Sequence, residues 1–218
     1  FHCVCGTCVF QLSLSDFLFS MRKTKNEESG RMTLAGFRAA PKTPLVLVLD
    51  NVRSLHNVGS VFRTADAFRL EAVYLCGITG CPPHKDIEKT ALGATDSVRW
   101  KHFAETTDAV RHLKKENYSV YAAEQAAGST GLQEFIPAAG RRVAVIFGHE
   151  VWGVGEEVIA MADGCIEIPL FGTKQSLNIA VSAGIVVWEL FVKMNRGLSP
   201  DEALRHRGKK PEQLFHQP

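Results

Sequence analysis

The chain has no apolar run long enough to cross a membrane; its most hydrophobic stretch, residues 179–192, falls short of about 20 residues and is interrupted by Ser182 and Glu189. Net charge is almost absent too. At +2 it does not by itself argue for a nucleic-acid partner. The six cysteines lack the even spacing of a small secreted scaffold: Cys3, Cys5 and Cys8 crowd one end, while Cys76, Cys81 and Cys165 are scattered. A reducing, cytoplasmic compartment is expected on that basis. No fourth ligand accompanies the cysteine triple, and the histidines show no ligand spacing, so no metal is expected. Repeats and low-complexity segments are missing as well.

What is present is an ordinary globular body with unusual ends. Apolar residues make up 45% of the 218, enough for a sizeable core. Residues 1–20 are apolar, contain no Met and give way at Met21 to a basic stretch. A secretory signal would carry its charge before the apolar run. Residues 1–20 are therefore expected to be a leader that precedes a natural start at Met21. Residues 21–44 read as a basic extension (Arg22, Lys23, Lys25, Arg31, Arg38, Lys42), 45–197 as the domain, and 198–218 as a basic tail (Arg205, Arg207, Lys209, Lys210). Basic ends of this kind either track phosphates or are simply solvated.

Short β-rich runs alternate with helical patterns through the body. Strands are expected at Leu45–Asp50, Ala72–Cys76, Val98–Trp100, Ser119–Ala123, Val143–Phe147 and Cys165–Ile168. Helices are expected at Val58–Phe68 behind an Asn57 cap, Ile87–Leu92, Thr107–Glu116 capped among Thr106, Thr107 and Asp108, Glu156–Met161, and Asn178–Asn195 ended by Gly197. Strands apolar on both faces and alternating with helices predict an α/β fold with a mostly parallel sheet. The last helix is apolar almost all round, so it must be covered on nearly every side, by its own domain or by a second subunit.

Three segments carry candidate chemistry. In NVRSLHNVGSVFRTADA (51–67) a turn at Asn57 and Gly59 opens a helix, with Arg63 further in. Free N–H groups and a guanidinium there suit a phosphate; a cap and a surface arginine are the plain alternative. In VAVIFGHEVWGVG (143–155) a buried strand runs into a glycine-rich loop, and Gly148 allows close backbone approach to a ligand. The loop lacks the third glycine of a dinucleotide fingerprint and the Lys-Ser/Thr pair of a Walker phosphate loop. An NAD site would also want an acidic residue closing the next strand, whereas Glu167 reads as lying inside it. In IEIPLFGTKQSLNIAVSA (166–183) a proline-glycine turn leads to Ser176, a natural N-cap, and to Asn178 in the first helical turn.

In this order and spacing the three segments resemble the signature motifs of the SpoU/TrmH branch of SPOUT-class RNA methyltransferases. The matching positions are Asn57, Gly59, Arg63 and Ala65; then Phe147, Gly148, Glu150 and Gly153; then Ile168, Pro169, Gly172, Ser176, Leu177 and Asn178. The resemblance spans about Leu45 to Asn195. It implies a deep C-terminal trefoil knot, against the usual rule that chains do not thread. It implies S-adenosylmethionine as cofactor, held by backbone groups at Gly148, Ile168 and Leu177, and transfer of its methyl to a ribose 2′-hydroxyl of RNA. Arg63 would be the central catalytic residue, with Asn57, Glu150, Ser176 and Asn178 around it. A homodimer is implied, with Arg63 serving the neighbouring subunit's cofactor. Transfer RNA, with a D-loop guanosine, is the favoured substrate and ribosomal RNA the alternative. A knotted RNA-binding protein without catalysis is a reading of another class.

Overall fold

The structure, a computed structural model, describes residues 32–195. The expected leader, residues 21–31 of the basic extension, Gly197 and the basic tail lie outside the described residues, as do Cys3, Cys5 and Cys8. The elements run α1 (Leu34–Ala39), β1 (Thr43–Asp50), α2 (Leu55–Ala67), β2 (Leu70–Cys76), α3 (Lys85–Ala91), α4 (Ala94–Ser97), β3 (Trp100–Phe103), α5 (Thr106–Lys115), β4 (Tyr118–Ala123), β5 (Thr130–Gly131), β6 (Arg142–Phe147), α6 (Glu156–Met161), β7 (Gly164–Glu167) and α7 (Ile179–Met194). The strands form one sheet in the order β3-β2-β1-β6-β4-β7-β5. Every pairing in it is parallel.

The pleat explains why the central strands read as unbroken apolar runs. Leu45, Leu47 and Leu49 of β1 point into a core shared with Val58, Val61 and Phe62 of α2 and with Ala183, Val186 and Leu190 of α7. Val46 and Val48 point the other way, onto Ala109, Val110 and Leu113 of α5 and Val158 of α6. Helices thus cover both faces, as expected for buried parallel strands. Each fully buried leucine contributes about 1.5–3 kcal/mol relative to exposure.

Several local expectations need correcting. The extension is not all solvated: Thr33 caps α1 through its hydroxyl, α1 places Phe37 in the core, and β1 begins at Thr43. Helix α5 has no side-chain cap: Glu105 holds the cap position without a side-chain bond, and the Thr106 hydroxyl donates to the buried Asp50 carboxylate (2.5 Å). Helix α7, expected to be covered by its own domain or by a second subunit, is not covered all round within the chain, which goes against cover by its own domain alone. Ile179, Ala183, Val186, Val187 and Leu190 are buried, but Val181, Ile185 and Trp188 are exposed along one stripe. Its end is set by Asn195, whose side chain donates to the Phe191 carbonyl (2.7 Å).

Lys193 fixes that last helix. Its side chain is only 4% exposed and is paired with Glu189. The ammonium donates to the carbonyls of Leu132 (2.6 Å), Gln133 (3.0 Å) and Phe135 (2.8 Å), so one cation anchors a loop with no regular ladder of its own. Lys193→Met leaves those carbonyls short of a donor and is expected to cost about 1–3 kcal/mol in chemical denaturation. A change below about 0.5 kcal/mol would mean that water replaces the ammonium.

Candidate active site

With the strands all running one way, the loops after β1, β4, β6 and β7 leave the sheet at one edge, where open α/β sheets hold ligands. A cavity of about 650 Å³ opens there. The second and third segments supply much of its wall: Gly148, Glu150, Ile168, Ser176, Leu177 and Asn178 all line it. Glu124 and Glu167, at the ends of β4 and β7, add two carboxylates, and no lysine or arginine is among the lining residues. Glu124 went unnoticed in the sequence because no motif marks it. Its Oε2 accepts the Val154 N–H (3.0 Å) and holds the glycine-rich loop.

That loop is a tight hairpin. The N–H of His149 donates to the Gly153 carbonyl (3.0 Å) and that of Gly153 returns to His149 (2.9 Å). A Cβ on Gly148 would lie 2.1 Å from the Gly153 carbonyl carbon and 2.2 Å from the Val154 nitrogen. Glycine is therefore required by the loop's own backbone, not only by a ligand as expected from sequence. Glu167 closes β7 instead of lying inside it, and its carboxylate accepts from the Ser129 hydroxyl (2.7 Å).

Asn57 is not the helix cap. Ser54 caps α2, accepting the Asn57 N–H (3.3 Å), and Asn57 sits in the first turn. Its Oδ1 accepts from Asn178 Nδ2 (3.1 Å). Ser176, in turn, does not cap α7; Asn178 does, accepting the Ala180 N–H (2.9 Å). Glu150 reaches back to the start of α2 and accepts the N–H groups of Arg53 (3.2 Å) and Ser54 (3.1 Å). One polar cluster therefore joins Asn57, Glu150 and Asn178, one residue from each segment.

Arg63 stays apart. It is exposed, lies well inside α2 and not near its N-terminus, and does not line the cavity. Six residues beyond Asn57, it sits about 9 Å further along the helix and about a third of a turn round it.

Burial opposes the charge on Glu150. The N–H groups of Glu150 itself, Arg53 and Ser54, together with the Asn57 side chain, outweigh that and hold its carboxyl below the ordinary carboxylate range. A carboxyl depressed on folding adds stability above its unfolded pKa, near 4.3, and loses it as pH falls through the folded value. Glu150→Gln is expected to cost about 1 kcal/mol at neutral pH, as loss of a charged acceptor at a helix start does. The difference in melting midpoint from the parent should shrink as pH is taken below about 4. A difference unchanged from pH 7 to pH 3 would exclude the carboxylate's charge as its source.

A parallel sheet with a glycine-framed, carboxylate-lined cavity at its carboxyl edge defines the class: an α/β domain that takes a nucleotide-like ligand outside its strand ends. Residues 44–188 match the sequence profile of the SpoU rRNA Methylase family, and the chain belongs to that family. It is 34% identical over 145 residues to the tRNA (guanosine(18)-2′-O)-methyltransferase of Thermus thermophilus, a match covering 66% of this chain and 73% of that protein. It is 31% identical over 146 residues to the 23S rRNA (guanosine-2′-O-)-methyltransferase RlmB of Salmonella typhi, covering 67% of this chain and 59% of that one. The AdoMet-bound rRNA methyltransferase from Sinorhizobium meliloti superposes with a TM-score of 0.65 at 27% identity, over 75% of this chain and 60% of that one.

Proposed function

We propose that this chain transfers a methyl group from S-adenosylmethionine to a ribose 2′-hydroxyl of RNA, with transfer RNA favoured as substrate and a guanosine as target. The observation that carries the reading is the Asn57–Glu150–Asn178 cluster at the cavity, which unites all three segments. The two relatives described above, one acting on tRNA and one on 23S rRNA, share this chemistry by name.

The cavity suits the cofactor. Its volume falls within the usual few hundred to about 1,000 Å³ of small-molecule sites. Glu124, Glu150 and Glu167 complement a sulfonium cation, and main-chain groups at Gly148, Ile168 and Leu177 are available to an adenosine. When bound, the cofactor supplies an electrophilic methyl group. A sugar hydroxyl is a weak nucleophile at neutral pH, so protein groups must orient it and let its proton leave. Asn57, Glu150, Ser176 and Asn178 supply donors and acceptors for that alignment. Arg63 binds the neighbouring phosphate, which or a water then takes the proton, since a guanidinium is very hard to deprotonate.

The site is completed in a homodimer. Support comes from the exposed stripe Leu177, Val181, Ile185 and Trp188, and from the position of Arg63 outside its own chain's cavity. The family's C-terminal knot belongs to the same reading. The segment after β7 touches the 124–135 connection at both ends: Gln125 donates to Gln175 (2.9 Å), and Lys193 to the carbonyls of Leu132, Gln133 and Phe135. Among the described residues no helix is long and apolar enough to cross a membrane. A cytoplasmic site of action goes with an RNA substrate.

The test is transfer of tritiated methyl from S-adenosylmethionine to bulk RNA from a host lacking this gene, followed by nuclease mapping. Label in transfer RNA as a 2′-O-methyl nucleoside is the expected result. Label in ribosomal RNA would keep the chemistry and overturn the substrate; no label, from protein that binds the cofactor, would favour an RNA binder without catalysis.

A further inference from the structure

The hairpin beside the cavity spends its backbone donors on rigidity. The N–H groups of His149 and Gly153 pair across it, and those of Val151 (3.0 Å) and Trp152 (3.4 Å) both donate to His149 Nδ1. The Val154 N–H is held by Glu124. Yet this stiff loop turns Trp152 outward, 82% exposed, with its ring against His149 at 6.5 Å between centroids and 27° between planes. Trp152 lines the mouth of the cavity, yet its indole stands in water with the His149 ring against it.

Two further observations say what partner would suit it. The second loop framing the cavity carries Phe171, 99% exposed, next to Leu170, which lines the wall. Exposed cations stand close in sequence to both loops' anchor points: Arg53, whose N–H holds Glu150, and Lys174, one residue before the lining Gln175. Exposed aromatics with cations near them are the recognition chemistry of a splayed single-stranded nucleotide, with bases stacking on rings and phosphates pairing with the charges.

We propose that Trp152 is the platform on which the base of the target nucleotide stacks, outside the cavity, so that its ribose faces inward. This rests on the methyl-transfer reading. A ribose presented to the cavity must leave its base at the rim, and a stiff hairpin supplies a ring there without ordering cost on binding. Trp152 acts as a substrate-positioning residue and takes no part in moving the proton.

The test uses the full chain and two readouts. In the first, the fluorescence of the parent and of Trp152→Phe is followed during titration with an RNA stem-loop, and the difference between them reports on Trp152. Quenching is expected with RNA and not with S-adenosylmethionine alone. In the second, Trp152→Ala is expected to raise the RNA KM about tenfold, at the low end of a lost base stack, while Trp152→Phe stays within about threefold of the parent. Cofactor Kd by calorimetry should not change. An unchanged KM in Trp152→Ala, in a parent that methylates RNA, overturns the platform and leaves the reaction standing. A matching loss of cofactor affinity overturns it as well, by assigning the indole to the cofactor. Quenching by RNA in a parent that transfers no methyl keeps the platform and removes the reaction.

Discussion

Replacing Arg63 with alanine is expected to lower kcat/KM by about a thousandfold, the scale of removing one group that serves only the transition state. Cofactor affinity should be unchanged, because the role proposed for Arg63 is on the RNA phosphate and not on S-adenosylmethionine. The geometry adds a sharper expectation. Arg63 is exposed on α2 and does not line its own chain's cavity, so under the dimer reading proposed above its work is done on a second copy. Mixing Arg63→Ala with a variant inactivated at Ser176 should then restore activity. Half of randomly paired dimers are mixed, and each carries one intact site, giving about a quarter of the parent's turnover. A mixture as inactive as its components would place Arg63 in the site of its own chain.

The second large effect is expected at Gly148. Alanine there puts a methyl group about 2 Å from backbone atoms of Gly153 and Val154, and backbone cannot rotate aside as a side chain can. Gly148→Ala is expected to lose about 2–4 kcal/mol of stability, comparable to other severely overpacked sites. It should also weaken S-adenosylmethionine at least about a hundredfold, since the hairpin that must open forms the cavity wall. Gly172 provides the control. It belongs to the third segment, yet nothing lies within 4 Å of where its Cβ would be. Gly172→Ala should leave the melting curve within about 0.5 kcal/mol of the parent. Equal damage at both glycines would refute the steric account.

These two residues also show how far the sequence could be read. Strands β1 and β6 are legible because burial on both faces leaves no polar position within Leu45–Leu49 or Val143–Phe147. Helix α6, Glu156–Met161, falls where its pattern places it. Helix starts were harder. Ser54 and Asn57 are both good caps three residues apart, and the choice depends on where the backbone leaves its extended form, at Ser54. The same ambiguity moved the α7 cap from Ser176 to Asn178. Helix α1 and the two-residue β5 are too short to carry a period, so neither was seen. In the site, the motifs marked Gly148 and Arg63, but the reasons were spatial. The close approach at Gly148 comes from a hairpin five residues on, and the separation of Arg63 from Asn57 depends on which face of α2 is buried.

The strand order also sets a timetable. The centre of the sheet is the pairing of β1 with β6, whose partners Leu45 and Val143 lie roughly a hundred residues apart in the chain. At ribosomal speeds of about 5–20 residues per second, β1 waits several seconds for its inner neighbour. Meanwhile β2 covers only one of its edges. The other is a row of unpaired peptide groups flanked by leucines and valines, a ready template for another nascent chain. The nascent chain is thus most vulnerable to aggregation when its first half is already out and its second half is still being made.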